Sequence, residues 1–222
     1  MKKMNNISVY LILLTLLFAN CKSDIIPKVS TNSSSQKQNI LFISIDDLRP
    51  KINSYGETKM ITPNIDKLAS EGLQFNNAFT NIAVCGASRA SIMTGVRPSQ
   101  KRFNDFSTRA SVDAPTAIPL NQIFKENGYE TIGYGKIYHH EDDFSEYWSE
   151  VEKGNPHVFQ DPKSIETINN AERGEYGKKT PILEYPDVGN YAYNDGKITK
   201  KAIAKMKSLS QQNKPFFMAV GY

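Results

Sequence analysis

From residue 39 onward, two kinds of apolar spacing take turns along the chain. Ile40-Leu41-Phe42-Ile43-Ser44-Ile45 is a nearly continuous apolar run, the signature of a strand buried on both faces of a parallel sheet. Thr62 then reads as an N-cap and Pro63 as the first helical residue, with Ile65, Leu68 and Ala69 as the buried stripe and Gly72 as the stop. Leu73 to Phe79 offers a short extended piece. Cys85 opens a short helix carrying Ala87, Arg89, Ala90 and Met93, with Gly95 ending it. Pro119 starts another helix with Leu120, Ile123 and Phe124, ended by Gly128. Tyr129 to Tyr134 is the next strand. Residues 141 to 190 are rich in Gly, Pro and charge without a sustained period, and read as a surface excursion shaping a cleft. Asn194 or Asp195 caps a last helix whose face is Ile198, Ala202, Met206 and Leu209, and Pro215 to Val220 is another buried strand. Such alternation predicts an α/β fold: a largely parallel sheet with helices on both faces.

The first 38 residues follow a different pattern. Lys2 and Lys3 precede an apolar stretch from Ile7 to Ala19, so residues 1–20 read as an export signal whose core is too short to span a membrane comfortably. Cys21 follows Leu17-Phe18-Ala19-Asn20, similar to a bacterial lipobox, which makes lipidation of Cys21 and a membrane anchor the expectation. Residues 21–38 are polar and Ser-rich, as a flexible tether is. The expected location is therefore the cell envelope, with the domain of residues 39–222 outside the cytoplasm. Hydrophobic content of 39% and charged content of 23% suit a globular domain. The formal charge of +4, with no basic stripe interleaved with aromatics, argues against a nucleic-acid partner.

Three groups stand at element ends. Asp46 and Asp47 follow the first strand, and as hard oxygen ligands they suit calcium or magnesium. The carboxyl ends of strands are where open α/β sheets bind ligands. Cys85 stands at a helix start, where backbone N–H groups and the dipole favour an anion, and Arg89 lies one turn on along the same face. Lys136 and His139 follow the second strand. Singly, each has a plain structural reading: a capped turn, a core cysteine, a solvated loop. Their joint occurrence in this order favours a site.

These stretches resemble the type I sulfatases of the alkaline phosphatase-like superfamily, in the iduronate-2-sulfatase-like branch. The matching runs are Asn39 to Pro50, Thr62 to Ala69, Cys85-Gly-Ala-Ser-Arg-Ala-Ser-Ile-Met-Thr-Gly95, Gly128 to His139 and Lys214 to Tyr222. The resemblance implies that Cys85 is oxidised to formylglycine by a sulfatase-maturing enzyme. The hydrated aldehyde would attack sulfur with one hydroxyl, and proton loss from the other would expel sulfate. It further implies that Asp46 and Asp47, joined by the converted Cys85, hold Ca2+ (Mg2+ being the alternative). Arg89 would steady the hydrate, Lys136 would neutralise sulfate charge, and His139 would help deprotonate the diol. His140 is expected to be structural. Sulfated carbohydrates are the implied substrates, with Arg97, Arg102, Asp105 and Phe106 matching the iduronate branch.

Ala87 stands where many members carry proline. The family's second cation-binding pair, a further histidine and a later lysine lie beyond the position matched by Tyr222, so the sequence is expected to be the N-terminal portion of a longer enzyme. Two alternatives remain open: a phosphoric or phosphonic ester hydrolase of the same superfamily, and an inactive fragment that binds sulfated glycans. A plain cysteine hydrolase lacks an evident orienting residue for its histidine.

Overall fold

Four parallel strands form one sheet in the order β1-β4-β2-β3, with β1 Ile40–Ser44, β2 Glu130–Gly135, β3 Glu150–Glu152 and β4 Phe216–Gly221. The computed structural model describes residues 37–222 apart from 141–142, 155–157, 172–180 and 182. The expected export signal, Cys21 and all but the last two residues of the tether lie outside the described residues. The helices are α1 Pro63–Glu71, α2 Cys85–Thr94, α3 Ala110–Asp113, α4 Leu120–Glu126, α5 Pro162–Asn169 and α6 Asn194–Ser210.

Strand β4 shows why the sheet is covered twice. Its side chains alternate, so Phe217 and Ala219 enter one core while Phe216, Met218 and Val220 enter the other. The first core gathers Ala87, Ala90 and Met93 of α2 with Phe103, Phe144 and Trp148. Phe217 is stacked there between Phe124, at 4.3 Å between centroids, and Trp148, at 6.0 Å. The second core is the stripe of α6, with Ile198, Ala202 and Leu209 buried against Ile132 and Tyr134. Helices thus lie on both faces, as the alternating pattern predicts.

The strand and helix expectations hold with corrections. Leu41 and Ile43 are 45% and 51% exposed. β1 is therefore half-buried on one face and exposed on the other, because it is an edge strand of the described sheet and α6 packs against β2 and β4. The expected stripe of α1 is not buried, with Leu68 68% exposed. Thr62 makes no capping bond to the backbone there; its hydroxyl donates to Asp66 at 3.0 Å instead. Residues 73–79 form no strand. Pro119 is the N-cap of α4, one residue before the helix, and Tyr193 rather than Asn194 or Asp195 is the N-cap of α6. The segment 141–190 contains β3 and α5, elements too short for periodicity to reveal.

Register brings three strand ends into one row. Ser44 pairs with Gly221, and Gly221 with Gly135. The pairing then continues past the strands, where Asp46 N–H donates to Tyr222 O at 2.8 Å and Lys136 N–H to Gly221 O at 3.0 Å. Gly135 has φ +74°, and a Cβ at that position would overlap the Gly221 carbonyl. The tight turn that carries Lys136 across the sheet edge therefore depends on glycine.

Candidate active site

Helix α2 begins beside this row of strand ends. Its first residue, Cys85, points its sulfur at His139 Nδ1, 3.4 Å away. Val84, the N-cap, offers no side-chain acceptor, so the first-turn N–H groups have no side-chain cap. Gly86 lets the 105–106 backbone pass directly against that turn: a Cβ there would stand 2.9 Å from the Asp105 carbonyl oxygen and closer still to that of Phe106. The Phe106 ring then meets His139 edge-on at 6.3 Å.

Arg89, one turn along α2, ties the strand ends together. Only 7% exposed, it donates to Ile137 O at 3.1 Å, to Lys136 O, and to Asp46 Oδ1 at 3.1 Å, with Ser44 Oγ at 3.4 Å. Its Nε has no hydrogen-bond partner among the described residues. Lys136 Nζ pairs with Asp46 Oδ2, so both carboxylate oxygens of Asp46 face a cation. Burial pushes the Asp46 carboxyl up, but the hydrogen bonds and charges of Lys136 and Arg89 outweigh it and hold the group below the usual carboxylate range. Asp47 follows with φ 54°, a left-handed conformation rare outside glycine, asparagine and aspartate. His139 is held below the ordinary histidine value, first by burial and then by the charges of Lys136, His140 and Lys153, with Asp46 opposing. It therefore stays neutral further into the acid range, as an acceptor near a thiol or hydroxyl must.

Asp46, Asp47, Cys85 and Arg89 line one cavity of about 430 Å³, whose walls include Thr80, Ser88 and Ile92. The sequence-predicted residues therefore converge: Cys85 with His139, and Arg89 with Asp46 and Lys136. Ser44 and Phe106 join them. Ser44 carried a signal, since it is the lone polar residue in the apolar run of β1. Phe106 entered the sequence reading only through its match to the iduronate branch, because its place beside His139 depends on the Gly86 contact.

Two adjacent carboxylates at a sheet edge are hard oxygen donors of the type calcium prefers, but calcium takes about six to eight oxygens. Among the described residues no group of three His, Cys, Asp or Glu side chains stands close enough to hold a metal. Both oxygens of Asp46 face Arg89 and Lys136, so Asp46 and Asp47 can supply at most part of such a shell.

The sulfatase family model matches residues 38–222. Iduronate 2-sulfatase of Homo sapiens is 37% identical over 205 residues, covering 88% of this chain and 36% of that protein. A sulfatase of Formosa agariphila is 30% identical over 227 residues, covering 96% of this chain and 43% of its own length. The chain thus spans about a third of the length of the iduronate 2-sulfatases it matches. Among solved structures, a Bacteroides thetaiotaomicron protein provisionally described as a sulfatase superimposes with a TM-score of 0.58 at 26% identity, over 84% of this chain and 35% of that one. The phosphonate monoester hydrolase of Agrobacterium radiobacter gives the same score at 18% identity, over 84% and 40%, a likeness of fold alone. With a family model covering nearly all of the described residues and a sheet that superimposes on its structures, the chain belongs to the sulfatase family.

Proposed function

We propose that this chain carries the nucleophile-bearing portion of a sulfuric ester hydrolase acting on sulfated sugars. The observation that carries the reading is the 3.4 Å approach of Cys85 Sγ to His139 Nδ1, beside the cavity that also holds Asp46, Asp47 and Arg89. The proposed maturation of Cys85 is a two-electron oxidation by a separate maturing enzyme that brings its own oxidant: Cβ passes two electrons to that oxidant, the sulfur leaves as hydrogen sulfide, and an oxygen at the level of water completes the aldehyde. The resulting formylglycine, once hydrated, supplies a hydroxyl that loses its proton and attacks sulfur, breaking the bond from sulfur to the sugar oxygen, which takes up a proton and leaves as the alcohol; deprotonation of the second hydroxyl then re-forms the aldehyde and releases sulfate.

The remaining residues act on charge and protons. His139, held neutral, accepts the hydroxyl proton at the nitrogen that now faces the sulfur. Lys136 presents a cation where sulfate oxygens would lie. Arg89 fixes the 136–137 carbonyls and Asp46, and so fixes the loop that carries Lys136 and His139. Asp46 and Asp47 would contribute to a Ca2+ or Mg2+ shell, where the ion supplies Lewis-acid polarisation of sulfate oxygens. Uniting this chain with the rest of the full-length protein, the proposal expects sulfate release from sulfated disaccharides after co-expression with a maturing enzyme, and loss of that release in Cys85→Ala. Equal release by both proteins would end it.

A second reading, phosphoric or phosphonic ester hydrolysis, draws on the Lys136 and Arg89 cations, which suit either tetrahedral anion. Turnover of an aryl phosphate well above that of the matching aryl sulfate would reverse the ranking. The proposal also places the domain outside the cytoplasm on a lipid carried by Cys21. Membrane fractionation of Cys21→Ala tests this, with retention in the membrane counting against it.

A further inference from the structure

The loop between α2 and α3 holds a large apolar ring open to solvent next to Cys85 and His139. Phe103 in that loop is fully buried, whereas Phe106 is 65% exposed. A single exposed ring is ordinary on a protein surface. Two features set this one apart: where it stands, and how firmly its backbone is held. It meets His139 edge-on at 6.3 Å, and His139 Nδ1 lies 3.4 Å from Cys85 Sγ. The backbone beneath it packs on the first turn of α2, where Gly86 leaves no space for a Cβ. Asp105 accepts from Ser107 N at 2.9 Å and from Ser107 Oγ at 2.6 Å, and Ser107 O accepts from His140 Nε2 at 3.1 Å. Further along, Asp143 accepts from the N–H groups of Ala110 and Ser111. Burial of Phe103 and the Asp143 cap thus anchor the two ends of the loop while the ring at its middle stays open.

We propose that the Phe106 ring is the platform on which the sugar ring of the substrate lies while its sulfate faces position 85. This deepens the sulfated-sugar reading above and rests on it. A pyranose presents several C–H groups on one face, and the face of an aromatic ring carries the negative part of its quadrupole, so the two attract as their apolar areas leave water. The hydrogen-bonded loop lowers the ordering cost of that contact, because the backbone carrying the ring is already fixed. The occupant follows from position: a ring in contact with His139 meets whatever part of the substrate adjoins the reacting sulfur, and in a sulfated sugar that part is the sugar ring. Phe106 carries neither charge nor a transferable proton. Its contribution is therefore to binding, equally in the ground and transition states, and falls on KM rather than kcat.

The test measures kcat and KM for sulfate release from a sulfated hexose by full-length protein matured at Cys85. Phe106→Ala is expected to raise KM about tenfold, equivalent to ~1.4 kcal/mol, with kcat changed by less than about threefold. Phe106→Trp, which keeps a ring face, should recover most of that loss, and Phe106→Leu, apolar but not aromatic, should behave like Phe106→Ala. If Phe106→Ala fails to fold, the comparison of Phe106→Leu with Phe106→Trp decides on the same criterion. An unchanged KM in Phe106→Ala overturns the platform. So does a loss carried mainly by kcat, which would make the ring a support for His139 alone, and so does a parent-like KM in Phe106→Leu, since any apolar side chain would then serve. In each of those cases the parent still releases sulfate and the hydrolase reading survives. A matured parent that releases no sulfate overturns both.

Discussion

Replacing Arg89 with methionine removes the tie between α2, β1 and the loop after β2 while keeping an apolar stem of similar reach. The guanidinium is 7% exposed and donates to two backbone carbonyls and to Asp46. Breaking a buried pair by deleting one partner costs about 3–5 kcal/mol. The Asp46 side chain is 23% exposed and keeps Lys136, which argues for the low end. The 136 and 137 carbonyls lose their charged donor as well, at roughly 1 kcal/mol or more each unless water replaces it. An overall loss of about 3–5 kcal/mol follows, the low end if water reaches both carbonyls, or roughly 6–20 °C in Tm for a domain of this size. Urea unfolding followed by the fluorescence of Trp148, which is packed in the first core, measures it directly. In a double-mutant cycle, Arg89→Met and Asp46→Asn should couple by about 1–3 kcal/mol. A single-variant cost within about 0.5 kcal/mol, the range of an ordinary surface change, would refute the buried tie.

Further outcomes follow from the same contacts. Gly86→Ala should cost about 1–3 kcal/mol, because its Cβ meets the 105–106 backbone, and a Tm equal to that of the parent would contradict that packing. Trp148→Ala, which empties the space beside Phe217, should cost about 3–5 kcal/mol in urea unfolding followed by far-UV circular dichroism, and a cost below about 1 kcal/mol would contradict that packing. Glu150 is held below the usual carboxylate range by hydrogen bonds from Lys205, at 2.6 Å, and from Tyr134, with burial opposing. Its folded value lies below its unfolded one, so its contribution is fully present above the ordinary carboxylate range and fades as pH falls through the folded value. Glu150→Gln should flatten that part of the stability–pH curve, and an unaltered curve would contradict it.

Much of the site was legible because it sits where local spacing ends. Asp46, Cys85 and Lys136 each follow or open an apolar-patterned element, and parallel pairing then brings those ends into one row. The β4 run announced burial on both faces for the same reason. What periodicity could not show was long-range satisfaction of polar groups. The buried Asp143 accepts from Ala110 N at 2.6 Å and Ser111 N at 2.7 Å, so α3 is capped by a residue more than thirty positions away. Helix α5 did carry a local signal: Asp161 before Pro162 caps Ser164 N at 2.9 Å. The charged surroundings of Asp161-Pro162 hid it. Exposure of Ile65 and Leu68 on α1 has a simpler cause, since an amphipathic stripe states which face is apolar and not what covers it.

Mass spectrometry of the peptide containing Cys85, from full-length protein made with a maturing enzyme and probed with an aldehyde-reactive hydrazide, addresses the chemistry most directly. The account predicts an aldehyde at position 85 that captures the probe, with capture absent in Cys85→Ala. An intact thiol at that position in a protein that still releases sulfate would contradict it.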